Sequence, residues 1–359
     1  MVRCGRNPGA APPGDFAVKI LARAPNWVGD AILCIPALRA VRSRWPQAEI
    51  SILAKRWVSA VYEGQGLADH LLVLDEAVDP AKLLGAAKFD AAILFQNAFH
   101  AAWLAWRAGI PERIGYARDG RGALLTRGFP VPLPGEIPAH EAYYYAELVR
   151  RAGWIERLPN IDEIRLSVAL DAREAAEKRM IEAGVRGSSR RIAFAPGAAY
   201  GSAKCWPAER FAELADGLIA RFDADVILFG APSERDIAER IATGMRRRPV
   251  NLAGQTSIAE LSAYFSACDL FIGNDSGAMH VAAGAGVPVV AIFGSTDPEG
   301  TAPLTARRTI VRNAPSCSPC FLRQCPVDHR CMERIEVAAV ENAAAGWLET
   351  RKPGENCFS

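Results

Sequence analysis

The residues with the clearest chemical potential lie between Asp269 and Pro298, in DLFIGNDSGAMHVAAGAGVPVVAIFGSTDP, where an Asn-Asp-Ser-Gly turn joins an apolar run to a helix of small residues. The first backbone N–H groups of such a helix have no internal partner and lie at the positive end of its dipole, which suits a phosphate or diphosphate. Ser276 and Gly277 open this helix, His280 stands about one turn in, and Asp275 precedes it. An acid beside a proposed anion is better suited to positioning the turn or binding sugar hydroxyls than to phosphate contact. The strand Val287 to Phe293 follows at once and gives a strand–helix–strand unit with parallel strands. In such sheets ligands bind beyond the carboxyl ends of the strands.

Two other strand ends carry unusual residues. The first strand leads into Arg23-Ala24-Pro25-Asn26-Trp27-Val28-Gly29-Asp30, where Gly29 permits a tight turn and Asp30 stands at or just before a helix start. Asp30 is either a helix N-cap or an ionised carboxylate able to take a proton. A later strand ends in Pro196-Gly197 and runs into AAYGSAKCWP, in which Lys204 is the sole cation. That lysine is either a solvated loop residue or a point charge for a phosphate, and Pro207 suits the first position of the next helix. Ser202 is the hydroxyl nearest to it. Glu234, after Gly230-Ala231-Pro232-Ser233, can take ribose hydroxyls as acids do in dinucleotide sites, or serve as a first-turn acid. Asp223-Ala224-Asp225 has the form of a metal-holding pair but falls in the turn entering a strand, remote from the expected ligand end, and reads as a solvated turn.

Elements that position these groups alternate along the chain. In the first half the pattern predicts strands over Phe16–Ala22, Glu49–Leu53, Leu71–Leu74 and Ala91–Phe95, with helices over Ala31–Trp45, Ala98–Ala108 and His140–Ala152. Arg107 to Arg127 reads as irregular and basic, and Leu158 to Leu166 as a linker. The second half predicts helices over Asp171–Ala183, Pro207–Arg221, Glu234–Met245, Ile258–Ala267 and Val337–Leu348, with strands over Arg191–Ala195, Asp225–Phe229 and Pro249–Leu252. This is an α/β chain of two repeated halves: a flexible tail over 1–15, domains over 16–165 and 166–335, and a closing helix over 336–350 able to pack back on the first domain. A substrate pair is expected between the halves.

Composition agrees with a two-domain globular protein: 359 residues, half of them hydrophobic. The balance of 42 basic against 40 acidic residues makes no demand for a nucleic-acid partner. The N-terminal stretch lacks the apolar run of a signal peptide, and the most apolar region, Ala91 to Trp106, is broken by Gln96, Asn97 and His100, so no membrane span is expected. Nine cysteines without a secretion signal point to a reducing compartment. Cys317, Cys320, Cys325 and Cys331 cluster around His329; a structural zinc site, a loop of partly buried thiols and a regulatory disulfide all stay open.

Taken together, Asn26-Trp27-Val28-Gly29-Asp30, Pro196-Gly197 through Lys204-Cys205-Trp206-Pro207, and Asn274 through His280 resemble the ADP-heptose:lipopolysaccharide heptosyltransferases, glycosyltransferase family nine. Phe293 to Pro298 and the CxxC-bearing tail look like the heptosyltransferase II branch, and the resemblance covers roughly Ala17 to Leu348. It implies a GT-B architecture of two Rossmann-like domains with parallel sheets facing across a cleft, and an inverting transfer of heptose from ADP-heptose to the heptose of a lipid A–Kdo–heptose acceptor. Asp30 then matches the family's base and Lys204 the lysine on the leaving diphosphate, with Gly29, Ser202, Glu234, Asp275, Ser276, Gly277 and His280 near the donor, and with no cofactor or catalytic metal required. The family's hydroxyl-bearing phosphate contact before the lysine is not clearly met by Ala199, Tyr200 and Gly201, and Ser202 is its substitute.

The resemblance also gives meaning to Lys55, Arg56, Arg113, Arg118 and Arg121, which could bind acceptor phosphates and carboxylates or simply form local ion pairs with Glu112 and Asp119. It implies an enzyme held peripherally on the cytoplasmic face of the inner membrane. A dehydrogenase would want G-x-G-x-x-G where APNWVGD stands. A nucleotide-sugar sensor would not need Asp30, and a heptosyltransferase of type I or III would share most of these residues.

Overall fold

Runs of β-branched and leucine residues too short for helices, each followed by an amphipathic segment, build this chain as strand–helix repeats. The computed structural model describes residues 18–350 apart from 75–78 and 188; the tail expected over 1–15 lies outside the described residues. The chain divides between Ile161 and Asp162, inside the segment read above as a linker.

The first unit runs β1 (Lys19–Arg23), α1 (Val28–Leu33), α2 (Ile35–Arg44), β2 (Glu49–Lys55), α3 (Arg56–Ser59), β3 (His70–Leu74), α4 (Pro80–Ala87), β4 (Ala91–Leu94), α5 (Phe99–Arg107), β5 (Glu112–Tyr116), β6 (Arg127–Phe129) and α6 (Glu141–Arg151). Its six strands pair in parallel in the order β3-β2-β1-β4-β5-β6. Because helices cover a parallel sheet on both faces, the central strands are apolar at successive positions, and Ile20, Leu21 and Ala22 are all buried. Leu21, Leu53 and Leu94 share one core cluster with Leu84 of α4 and Leu104 of α5, while α2 and α6 pack on each other.

The single helix expected over Ala31–Trp45 is two helices meeting at Cys34. Pro36 lacks the N–H that would continue the ladder, so the chain ends one helix and starts another with proline in its first turn. The basic stretch expected to be irregular contains β5 and leads into β6; five polar or glycine residues among these eight hide the strand pattern.

The second unit runs α7 (Leu170–Glu182), β7 (Arg190–Ala195), α8 (Ala208–Phe222), β8 (Ala224–Leu228), α9 (Arg235–Gly244), β9 (Val250–Asn251), α10 (Ile258–Ser266), β10 (Leu270–Asn274), α11 (Gly277–Gly284), β11 (Val289–Phe293), α12 (Pro298–Thr301), β12 (Arg308–Arg312), α13 (Arg330–Glu333) and α14 (Val337–Glu349). Its sheet is also parallel, in the order β12-β11-β10-β7-β8-β9. Counted within each unit, both sheets therefore read 3-2-1-4-5-6, the doubly wound order whose direction reverses between the first and fourth strands. Those reversal points are β1/β4 in one unit and β7/β10 in the other.

Helix α10 starts with a capping box: Glu260 accepts from the Ser257 amide at 2.8 Å, and the Ser257 hydroxyl accepts from the Glu260 amide at 3.4 Å. The last helix, α14, for which packing on the first domain was one expectation, belongs to the second unit, where it lies against α8 and buries Val340, Ala344 and Leu348 in that unit's core.

Candidate active site

In the second unit, the chain leaving β7 and the chain leaving β10 emerge side by side at the reversal point. Asn274, fully buried, ties them together: its side-chain amide donates to the Pro196 carbonyl at 2.6 Å, and its side-chain oxygen accepts from the Trp206 amide at 3.1 Å. Trp206 is buried and its indole N–H donates to the Ile335 carbonyl at 3.0 Å. Lys204, between those two anchors in a short 3-10 turn opened by Ser202, reaches Asp275 at 2.5 Å. The same carboxylate oxygen accepts from the Thr296 hydroxyl at 2.6 Å. Asp275 thus holds the lysine at the mouth of the sheet, one residue before Ser276 and the start of α11.

The Ser276 side chain makes no cap bond to the helix, and its hydroxyl oxygen is buried without a hydrogen-bond partner. His280 is buried in the second turn of α11. The start of α11 therefore retains the donor-rich character expected of an anion site. A cation paired with a buried carboxylate beside it is a charge that an incoming diphosphate could claim.

Glu234 ends a 3-10 turn in front of α9, and its carboxylate accepts from the Ala231 amide at 2.7 Å. A Cβ placed on Gly197 would run into that carboxyl group, and one on Gly230 would lie 3.1 Å from it. Both strand-end glycines thus leave room for Glu234, whose pKa burial raises. Its place beside the Pro196-Gly197 turn is compatible with recognition of a nucleoside.

The cysteine-bearing segment lies over the lysine turn. The Arg323 carbonyl accepts from the Ala203 amide at 3.0 Å, the Phe321 carbonyl accepts from the Tyr200 hydroxyl at 2.8 Å, and the His329 ring meets the Ala203 carbonyl at 3.1 Å. A side chain at Gly201 would run into the Arg323 carbonyl. Cys317 is exposed, Cys320 and Cys325 are half-buried and Cys331 is buried, all as free thiols. Burial raises the Cys331 thiol, with the neighbouring thiols adding to it. Among the described residues no three His, Cys, Asp or Glu are grouped to hold a metal ion, and the backbone of this loop supports the 200–204 turn.

Asp225 also departs from expectation. It is buried, not solvated, and accepts from Ser189 at 2.6 Å while pairing with Arg186 at 3.0 Å and Arg247 at 3.2 Å. Asp223 pairs with the same Arg186 at 2.6 Å, so the Asp-x-Asp pair is a structural ion-pair network.

In the first unit, Arg23 is buried at the end of β1, and its guanidinium donates to the Asn26 side chain at 2.7 Å and to the Leu53 carbonyl at 3.3 Å. Burial pushes its pKa down to about 10. The exposed Trp57 donates its indole N–H to the Asn26 carbonyl at 3.1 Å. The turn so fixed delivers Gly29 and Asp30 into the first turn of α1, where Trp27 and not Asp30 occupies the N-cap position. Asp30 is thereby relieved of the capping role and lies partly exposed.

Helix α6 packs against α1 and brings in Glu141, which the sequence reading passed over. Its pKa is raised to about 7 by burial first and then by the negative charge of Asp30, with Arg118 opposing. Asp30 likewise adds to the effect of burial in raising Cys34, and to burial and other neighbours in raising Tyr145 and Tyr62.

The expected acceptor cations separate into two groups. Arg121 is fully buried, donates to the Tyr116 carbonyl at 2.8 Å, the Asn97 side chain at 3.0 Å and the Gln96 carbonyl, and has its pKa lowered to about 10 by burial. Arg113 donates to the carbonyls of Leu124 at 2.6 Å and Ile110 at 2.5 Å. Arg121 is therefore a brace of the β5–β6 region, and its assignment to acceptor contact is replaced by that role; Arg113, half-buried, braces the same region. Arg118 bonds Tyr144 and pairs with Asp119 at 3.2 Å, and Arg127 pairs with Glu112 at 2.9 Å. Lys55 lies 4.9 Å from the Trp57 ring centre, and Arg56 is exposed at the start of α3. Thr296 and Asn274 were visible only as members of motifs; neither type nor spacing disclosed that they fix Asp275 and the two loops.

Among the described residues no helix is long and apolar enough to cross a membrane. Residues 79–330 match the family described as glycosyltransferase family 9 (heptosyltransferase). The chain is 30% identical over 313 residues to lipopolysaccharide heptosyltransferase 2 of Salmonella typhimurium, covering 82% of this chain and 88% of that one. It is 29% identical over 309 residues to lipopolysaccharide heptosyltransferase 2 of Escherichia coli, with the same coverage. The solved structure of E. coli ADP-heptose lps heptosyltransferase II superposes with a TM-score of 0.79 at 26% identity, over 93% of this chain and 99% of that one.

Proposed function

The chain belongs to glycosyltransferase family 9, the heptosyltransferases, and from that premise we propose that it is a heptosyltransferase II, moving heptose from ADP-heptose onto the heptose of the lipopolysaccharide inner core. It is a glycosyltransferase of GT-B type with two Rossmann-like units. The observation that carries the site reading is Lys204, held by Asp275, which Thr296 in turn fixes, at the reversal point of the second sheet, beside the start of α11.

In this reading the donor diphosphate takes Lys204 from Asp275 and accepts from the amides at Ser276 and Gly277, so negative charge growing on the departing ADP meets preformed donors. Ser202 and His280 line the same end of the sheet, and Glu234 takes the ribose hydroxyls. Asp275, freed of the lysine, is available to sugar hydroxyls. Asp30 removes the proton from the acceptor hydroxyl as that oxygen attacks the anomeric carbon from the face opposite the diphosphate, which inverts configuration. The C–O bond to ADP breaks as the new one forms, and the proton ends on Asp30. Gly29 keeps the turn before it compact.

Lys55, Arg56 and Arg118 supply charge for the phosphorylated acceptor. The exposed Trp27 and Trp57 beside Lys55 and Arg56 suit peripheral contact with an anionic leaflet on the cytoplasmic face of the inner membrane. The test is mass-spectrometric: the purified protein with ADP-heptose and a heptose-bearing lipid A–Kdo acceptor is expected to add one heptose. Equal transfer to an acceptor lacking that heptose would exclude the type II assignment, and tight donor binding without any transfer would point to a sensor.

A further inference from the structure

Lys204 shares its aromatic neighbour with a second cation. The lysine ammonium lies 5.0 Å from the centre of the Tyr200 ring, and the Arg323 guanidinium lies 5.2 Å from the same centre, both within the range in which a ring face attracts a cation. Their other surroundings differ. Lys204 is half-buried and paired with Asp275 at 2.5 Å. Arg323 is exposed and, among the described residues, makes neither a side-chain hydrogen bond nor an ion pair.

The backbone around Arg323 fixes it there. Phe321 donates its amide to the Ser295 carbonyl at 2.8 Å and accepts from the Tyr200 hydroxyl at 2.8 Å, so it ties the residue before Thr296 to the lysine turn. It does so at a φ of 56°, in the left-handed region that a bulky aromatic residue adopts only where its surroundings impose it. Two residues on, the Arg323 carbonyl accepts from the Ala203 amide at 3.0 Å, and Gly201 lacks the Cβ that would meet that carbonyl.

Resting on the reading of Lys204 as the cation on the donor diphosphate, we propose that Arg323 is a second cation for that diphosphate, serving the departing ADP more than the bound donor. Charge decides the role. Asp275 offsets Lys204 in the resting turn, and Arg323 has no such counterpart. When the C–O bond to the sugar breaks, its electron pair stays on the β-phosphate oxygen, and the diphosphate gains one negative charge. A guanidinium presents paired N–H groups in a fork that matches phosphate oxygens, and no proton moves to or from it. A donor aimed at charge that grows during the reaction raises kcat more than it tightens the ground state. The Tyr200 hydroxyl, the one side-chain donor among residues 199–201, is committed to the Phe321 carbonyl, so Arg323 supplies what that stretch does not.

Calorimetry with ADP and AMP, which share a nucleoside and differ by the terminal phosphate, tests the binding half; kcat with saturating donor and acceptor tests the other. In Arg323→Gln, ADP affinity and kcat are each expected to fall at least tenfold, while AMP affinity, Tm and donor KM stay close to native. Arg323→Lys keeps the charge without the fork and is expected to fall between the two. Equal losses for ADP and AMP would make Arg323 a brace of Tyr200 and overturn the proposal. Native ADP affinity would also overturn it, and a raised acceptor KM alongside would move the guanidinium to an acceptor phosphate. Failure of the underlying reading looks different: the native protein would not prefer ADP to AMP, and Lys204→Ala would bind ADP as the native protein does.

Discussion

Replacing Lys204 by alanine separates what the lysine does for the fold from what it does for the reaction. Its side chain is 13% exposed and that of Asp275 5%, and they meet at 2.5 Å. Removing the lysine leaves Asp275 buried with the Thr296 hydroxyl as its remaining side-chain donor. Breaking a buried ion pair in this way costs about 3–5 kcal/mol, and the residual solvent access of the site argues for the lower end, about 3 kcal/mol. For a unit of this size that corresponds to a fall in Tm of roughly 6–12 °C. The catalytic loss has a separate origin: one fewer charge on the departing diphosphate, a deficit of about 10²–10³ in kcat by analogy with lost oxyanion donors. Lys204→Ala combined with Asp275→Asn no longer buries an unpaired charge, so at least half of the lost stability should return while the rate stays low. The assay is thermal unfolding alongside acceptor-dependent ADP release at 20 °C, with Asp275→Asn alone as the reference. A Lys204→Ala enzyme that is folded and within threefold of native kcat would refute the argument, because the lysine would then be a brace and nothing more.

Other substitutions give further tests. Gly197→Ala drives a methyl group into the Glu234 carboxyl; ADP affinity measured by calorimetry should fall at least tenfold, with about 1–3 kcal/mol of destabilisation from overpacking. Arg121→Ala should cost about 3 kcal/mol in denaturant unfolding, because the buried guanidinium braces Tyr116, Gln96 and Asn97, whereas Arg118→Ala should raise the acceptor KM with little change in stability. Glu141 makes a pH-dependent contribution to stability. Its folded pKa of about 7 exceeds the unfolded value of about 4.3, so the contribution is complete below about pH 4.3 and is lost as pH rises through about 7. Urea unfolding of native and Glu141→Gln proteins should therefore show the variant gaining on the native protein between those limits by on the order of 2 kcal/mol; a constant difference would contradict the assigned shift.

The strand–helix alternation was legible because β1, β2, β4, β7, β8, β10 and β11 are continuous apolar runs, the signature of strands covered on both faces. Strands β5, β6 and β12 were missed since Glu112, Arg113, Arg127, Arg308 and Arg312 break that signature near the sheet edges. The helix break at Cys34 follows from Pro36, which lies inside an otherwise continuous helical pattern. At the site, Lys204 and Asp275 were identified singly from loop position, but they lie 71 residues apart in sequence and their pairing depends on β7 and β10 lying next to each other. The same holds for Asp30 and Glu141, which only helix packing brings together. Arg113 and Arg121 show the converse. A basic, glycine-rich stretch looks like a polyanion surface, yet burial decides which guanidiniums face their own carbonyls.

The most direct test of the central claim is ADP release by the purified protein supplied with ADP-heptose, with and without a heptose-bearing lipid A–Kdo acceptor, repeated with Asp30→Asn. Release that requires the acceptor and falls by at least 10³ in the folded variant, with ADP affinity unchanged, is the predicted result. Acceptor-independent release, or a variant that retains native rates, would contradict a transfer reaction with Asp30 as its base.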